Sequence, residues 1–181
     1  MQKQPNWSLQ QLPDMDSRQF HQWQTLLENR TGVCVSAQRK LFLQTSLGVR
    51  MRELGIDDYQ HYYEHVTQGP VGAVEWSTLI DRLTVRETSF MRHRPSFDCV
   101  ARYLTQRLAQ RPAGQPLQLW SVGCASGEEA YSLAMVAERS LQAQGRAARD
   151  YGVWATDISA RALEQGRQAR YAPSRMTQLQ V

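Results

Sequence analysis

LQLWSVGCASGEEA, residues 117–130, sets the architecture of this chain. Its apolar run, Leu117, Leu119, Trp120 and Val122, reads as a strand. Gly123-Cys124-Ala125-Ser126-Gly127 then makes a turn of small residues, and AYSLAMVAER continues as a helix. A strand that turns through glycines into a helix is how an α/β domain builds a nucleotide-type binding site. The acids Glu128 and Glu129 select the ligand: carboxylates at the helix start repel a phosphate but hold a cation or an amino group. Acids also suit any first helical turn through the helix dipole, and consecutive residues point about 100° apart on a helix. One of the two therefore faces the turn, and the other does ordinary helix-start duty.

Downstream, the pattern predicts a helix over 128–144, a second strand over Gly152–Thr156 and a helix over Ser159–Arg170. This β-α-β-α alternation implies a parallel sheet with right-handed crossovers. Asp157 ends the second strand in YGVWATDIS, 30 residues after Gly127. An acid there accepts hydrogen bonds from ribose hydroxyls in dinucleotide-type folds, and it also suits the cap of the next helix. Two strands do not complete a parallel sheet, which needs both faces covered. A truncated protein or a fragment is the expectation.

Upstream, RPAGQP (111–116) is a breaker-rich link, preceded by a helix over Ser96–Gln110. TVRETSFMRHRP (84–95) has no clean period. The N-terminal half predicts four short helices. Asp14–Arg30 carries Phe20, Trp23, Leu26 and Leu27 on one face, with Gly32 as a stop. A second helix runs from a Ser36 cap to Leu54, burying Leu43, Leu47, Met51 and Leu54. A third starts at Asp57 or Asp58 and buries Tyr59, Tyr62, Tyr63 and Val66, and Gly69-Pro70 ends it. A fourth spans about Gly72–Leu83. The expected fold is α+β: a small N-terminal helical bundle (1–83), a linker segment and helix (84–116), and the start of a Rossmann-like α/β domain (117–181).

A hydrophobic content of 41% with 21% charged residues is that of a folded globular chain. No apolar run approaches the roughly 18 residues that span a bilayer, and MQKQPNWSLQ lacks the apolar core of a signal peptide. The expectation is a cytoplasmic protein without membrane insertion. Cys34, Cys99 and Cys124 are odd in number and far apart, so neither a disulfide framework nor a zinc site is indicated. His61 and His65 stand four residues apart without a further ligand at zinc-like spacing, so no metal is expected. Met51, Met91 and Met135 read as core residues. The net charge of +4 favours an acidic partner.

WSVGCASGEEAYSLAM resembles the cofactor motif of the CheR-type chemoreceptor glutamate methyltransferases, S-adenosylmethionine enzymes of bacterial chemotaxis. ATDIS with the AL, AR and Tyr of 155–171 is similar to the family's next segment, and LTVRETSFMR (83–92) to its linker motif, commonly LTTNxTxFFR. Three ordered motifs are far more specific than one. The resemblance implies an S-adenosylmethionine-dependent methyltransferase, with Thr88 and Arg92 of the linker reaching the cofactor. Arg86 occupies a position usually held by Asn. Gly123 lies in the cofactor turn, Glu129 matches the acid that binds the methionine amino group, and Asp157 matches the ribose-binding acid. Arg92 is also the candidate catalytic cation that orients the substrate carboxylate.

The second helix, with Arg39, Lys40, Arg50 and Arg52, is implied to face the acidic methylation helices of a chemoreceptor, or of the analogous receptor of a pilus-type system. Arg39, Arg50 and Arg52 are the expected substrate-binding residues. The expected partner is the receptor's cytoplasmic helices, met by a monomer, with no nucleic acid. The alternative is a non-catalytic module that binds receptor or nucleic acid through this basic helix. The family's later elements, among them an RNxxIYF-like segment and a small β-subdomain, are missing from the 181 residues. The isolated chain is therefore expected to have little activity.

Overall fold

The computed structural model describes residues 14–84, 87–110, 112, 115–146 and 151–179. They divide into two compact units between Leu83 and Thr84.

The first unit holds four helices: α1 (Ser17–Thr31), α2 (Lys40–Leu54), α3 (Tyr59–Thr67) and α4 (Gly69–Leu83). α1 starts later than the periodicity suggests because Asp16 takes the cap. Its carboxylate accepts the Gln19 N–H at 2.6 Å, and the Gln19 side chain accepts the Asp16 N–H at 3.0 Å, a reciprocal capping box. Gly32 closes the helix in the left-handed conformation. Ser36 makes no side-chain cap bond, so a 3-10 turn at Ala37–Arg39 precedes α2. At α3 the cap falls to Asp58, which accepts the His61 N–H at 2.8 Å. α4 begins three residues before the expected Gly72, because Pro70 is tolerated in a first turn, where its missing N–H has no intrahelical partner to lose.

Phe20, Trp23, Leu26, Leu27, Leu43, Leu47, Met51, Tyr59, Tyr62 and Val66 meet Leu79, Ile80 and Leu83 in one buried core. Trp23 lies against Tyr62 (centroids 5.5 Å apart) and meets Tyr63 edge-on at 5.3 Å. Leu54, expected in this core, is exposed at the last residue of α2. Gly72 is required where α4 passes the end of α3: a Cβ there would stand 2.6 Å from the His65 carbonyl oxygen.

The second unit contains α5 (Arg94–Gln110), β1 (Leu117–Val122), α6 (Glu128–Gln142), β2 (Tyr151–Thr156) and α7 (Ala160–Gln168), followed by 3-10 turns at Pro173–Arg175 and Thr177–Leu179. β1 and β2 pair in parallel, from Leu117 opposite Tyr151 to Val122 opposite Thr156. The crossover between them is α6, as the sequence pattern predicts. One sheet face packs on α5 and α6, where Leu104, Leu117, Val136 and Ala137 are buried with Phe97 and Leu119 against them. On the opposite face, among the described residues, the large side chains are exposed. Trp120 and Trp154 sit opposite each other in register and are 66% and 68% exposed. Their ring N–H groups donate to Thr156 Oγ1 and Gln118 Oε1, each at 3.0 Å.

Candidate functional site

The turn after β1 is bent by three positive-φ residues, Gly123 (72°), Ala125 (46°) and Gly127 (95°). Two are glycines, which adopt this region freely, whereas alanine does so at some cost. The strain at Ala125 is held by Asp157, whose Oδ2 accepts the Ala125 N–H at 2.7 Å while Oδ1 accepts the Ser159 N–H at 2.8 Å. The Thr156 carbonyl accepts the N–H groups of Gly123 and Cys124 at 2.8 and 3.0 Å. The end of β2 therefore shapes the turn that leaves β1. Gly127 is tightly enclosed: a Cβ there would stand 3.0 Å from the Tyr171 hydroxyl and 3.2 Å from Gly166 Cα, at a φ that side chains rarely adopt.

The two acids at the start of α6 have opposite surroundings. Glu129 is exposed, and its Oε1 accepts the Ser121 hydroxyl at 2.7 Å. Glu128 is fully buried. It accepts the Ser126 hydroxyl at 2.7 Å and is paired with Arg175. The expectation that one acid does only helix-start duty is thus corrected. Glu128 is a buried anchor whose charge needs its own cation, because an unpaired carboxylate in the interior is strongly destabilising. Nothing in the polar tail of the sequence marks Arg175 as that cation. Cys124 is buried in the turn. Burial, and secondarily the charge of Asp157, push its thiol above the usual range. It stays protonated at neutral pH and serves packing.

The linker reaches the same place. The Met91 N–H donates to Ser132 Oγ on α6 at 3.0 Å. Phe90 is buried edge-on against Tyr171 at 4.9 Å. The Thr88 carbonyl accepts from Arg175 at 3.1 Å. Arg92 is exposed and closes on its own linker, donating to the Glu87 carbonyl at 2.7 Å and to its carboxylate at 3.2 Å. Arg86 lies outside the described residues.

The expected basic face of α2 is corrected at Arg50. Its guanidinium binds Glu75 of α4 with two bonds, Nε to Oε1 at 2.8 Å and a terminal nitrogen to Oε2 at 2.6 Å, and also binds Glu53 at 2.8 Å. Glu75 is buried and further accepts the Tyr62 hydroxyl at 2.7 Å. Burial pushes the Glu75 carboxyl upward, but the bonds from Arg50 and Tyr62 outweigh it and hold the group below the usual range. The bond to Glu75 raises Arg50 in turn, and burial raises the Tyr62 hydroxyl. Arg50 therefore ties α2 to α4, with its guanidinium engaged by two carboxylates of the bundle. An acid on the apolar stripe of α4 is the sequence signal that could have located this pair. Arg39, stacked over Phe42 at 4.8 Å, and Arg52 remain exposed. Among the described residues, no group of three or more His, Cys, Asp or Glu side chains could hold a metal ion, and no helix is long and apolar enough to cross a membrane.

A parallel strand, a glycine turn and an acidic helix start, with a second acid at the end of the neighbouring strand, define the start of a Rossmann-like domain whose carboxylates suit a ligand that carries positive charge and hydroxyl groups. The chain belongs to the CheR methyltransferase family. Residues 86–181 match the model of the CheR methyltransferase SAM binding domain, and residues 18–84 match that of the CheR methyltransferase all-alpha domain. The chain is 31% identical to a chemotaxis protein methyltransferase of Klebsiella aerogenes over 90% of its own length and 52% of that relative. It is 30% identical to a chemotaxis protein methyltransferase of Escherichia coli over 84% and 50%. A probable biofilm formation methyltransferase, WspC of Pseudomonas aeruginosa, is 32% identical over 78% and 32%. The chain spans about half the length of the chemotaxis relatives it matches. S-adenosylmethionine is the cofactor of the matched domain, and the donor set fits it: the turn is flanked by carboxylates, which suit a cationic ligand and oppose a phosphate.

Proposed function

We propose that this chain supplies the cofactor site of an enzyme that methylates glutamate side chains on a chemoreceptor with S-adenosylmethionine. One observation carries the reading: Glu129, bonded to Ser121 near the C-terminal end of β1, and Asp157, just past the end of β2, flank one turn between paired parallel strands, tightly enclosed at Gly127. That is where open α/β sheets bind ligands.

S-adenosylmethionine, when bound, supplies a methyl group activated by its sulfonium charge. The accepting glutamate has a pKa near 4.3 and is ionised at neutral pH, so no general base is needed. The work left to the chain is alignment and exclusion of water. Glu129 would hold the ligand's amino group, because its carboxylate is exposed and braced only by Ser121. Asp157 would accept the ribose hydroxyls through lone pairs left over from Ala125 and Ser159. Gly123 would give the turn its left-handed bend, and Thr88 would border the site from the linker, where Arg86 replaces the Asn usual in the family pattern. Arg92 would orient the substrate carboxylate by exchanging it for Glu87. Their pair is exposed, and such pairs are worth at most about 1 kcal/mol.

The receptor's acidic cytoplasmic helices would meet Arg39 and Arg52, which speeds encounter more than it adds affinity. Calorimetry with S-adenosylhomocysteine tests the reading. The full-length protein should bind it, and Asp157→Ala should abolish binding. Absence of binding in the full-length protein would sink the proposal.

A further inference from the structure

We infer that the segment 166–175, and Arg175 above all, is a clasp that positions the cofactor turn and the linker for their ligand. The inference rests on the reading above. It comes from the back of the turn, where no ligand-facing role is assigned. Gly166 of α7 lies against the turn so closely that a Cβ there would be 3.3 Å from the Ser126 carbonyl oxygen. The Gly166 carbonyl accepts the Tyr131 hydroxyl at 2.9 Å. Five residues on, the Tyr171 hydroxyl donates to the Ser126 carbonyl at 2.6 Å, and its ring meets Phe90 and Tyr131 edge-on. Burial, and next the charge of Glu128, push that hydroxyl up to about 12, so it remains a donor at neutral pH.

Arg175 closes the arrangement. One of its terminal nitrogens pairs with the buried Glu128 carboxylate and donates to the Thr88 carbonyl at 3.1 Å. One guanidinium thereby ties the first turn of α6, and through Ser126 the cofactor turn, to the linker. The pair matters because Glu128 has no exposure to water, and removing one partner of a buried pair leaves an uncompensated charge. The cheapest escape for that charge is movement of the α6 start toward solvent, which would carry Glu129 with it. Arg175 is thus a positioning residue. It acts on ligand affinity through the main chain of the turn and of Thr88.

The test is S-adenosylhomocysteine affinity in the full-length protein, measured by calorimetry well below each variant's melting temperature. Arg175→Ala should weaken binding by about tenfold or more, equivalent to about 1.4 kcal/mol. Arg175→Lys keeps a cation and should recover most of the loss. In a Glu128→Gln background, where no buried charge remains, Arg175→Ala should have much less effect. Tyr171→Phe keeps the ring contacts and should weaken binding by a smaller factor, which keeps the idea testable if Arg175→Ala folds poorly. Leu108→Ala, in the core of α5, should lower the melting temperature without changing affinity.

Affinity within about twofold of wild type in both Arg175→Ala and Tyr171→Phe would overturn the clasp, since that is under 0.5 kcal/mol. Equal losses of affinity in Leu108→Ala would overturn it as well. If the wild type binds and Asp157→Ala does not, but the clasp variants are unaffected, only this inference fails. If the wild type does not bind, the proposed function fails with it.

Discussion

The two units bury charge for different reasons. In the four-helix unit, Arg50, Glu75 and Tyr62 form a network, extended by Glu53, beside the core that residues of this unit build. In the second unit, Glu128 and Arg175 form a pair at the edge of a binding turn, in a sheet with Trp120 and Trp154 exposed on one face. The first network joins residues of the four-helix unit alone and serves the bundle's own packing. The second joins segments distant in sequence around a place where a ligand would sit. A buried ion pair is therefore not by itself the mark of a site. What distinguishes the second is the company of positive-φ residues and an exposed acid beside it.

The largest test of this contrast is Glu75→Ala. It strands the Tyr62 hydroxyl and leaves Arg50 with Glu53 alone, and should destabilise the four-helix unit by about 3–5 kcal/mol, read by urea denaturation. Ligand affinity of folded protein should be unchanged. A loss below 1 kcal/mol would show the network to be ornamental. The same network sets an acid limit. Because the folded Glu75 carboxyl is held below its ordinary 4.5, its contribution is present above that pH and is lost as pH falls through the folded value. Tyr62 works at the other end: its hydroxyl is raised above the ordinary 10.0, so its contribution is present below pH 10 and is lost as pH rises beyond it. Stability of the first unit measured against pH should fall at both ends, and Glu75→Gln should flatten the acid side.

In the second unit, Gly127→Ala forces a Cβ against Tyr171 and Gly166 at a φ of 95°. It should cost about 1–3 kcal/mol and loosen amide-exchange protection at the start of α6. Unchanged protection would mean that the turn tolerates a side chain. The smallest effect belongs to the exposed tryptophans. Trp120→Gln with Trp154→Gln should change stability by no more than about 0.5 kcal/mol, as exposed positions do. The same pair should lower binding of an apolar dye, since exposed apolar patches bind such probes. A loss of several kcal/mol would show those rings to be buried in solution.

Much of this molecule is legible in its sequence. β1, with Glu128 as the first residue of α6, is where the apolar run and glycine turn predict, because strand and turn chemistry are local. Phe20, Trp23, Leu26 and Leu27 share a buried face for the same reason: a 3.6-residue period needs no knowledge of the partner helix. The motifs also named the family correctly. The reading fails where a side chain's role depends on a distant partner. Arg50 looks like one more cation on a basic helix until Glu75 is placed against it. Helix-dipole arguments apply equally to Glu128 and Glu129; the family motif singles out Glu129, but nothing local shows that Glu128 is buried against Arg175.

Local patterns thus determined the elements, their order, the parallel pairing and the acidic character of the turn. Each follows from the backbone preferences and periodicity of neighbouring residues. Only the tertiary structure decided which acid is buried and which is open, which arginine is structural and which is exposed, and that Arg175 reaches back to residues 47 and 87 positions earlier. The reason is physical. A charge's role is set by its solvation and its partner, and both are supplied by whatever the fold brings beside it.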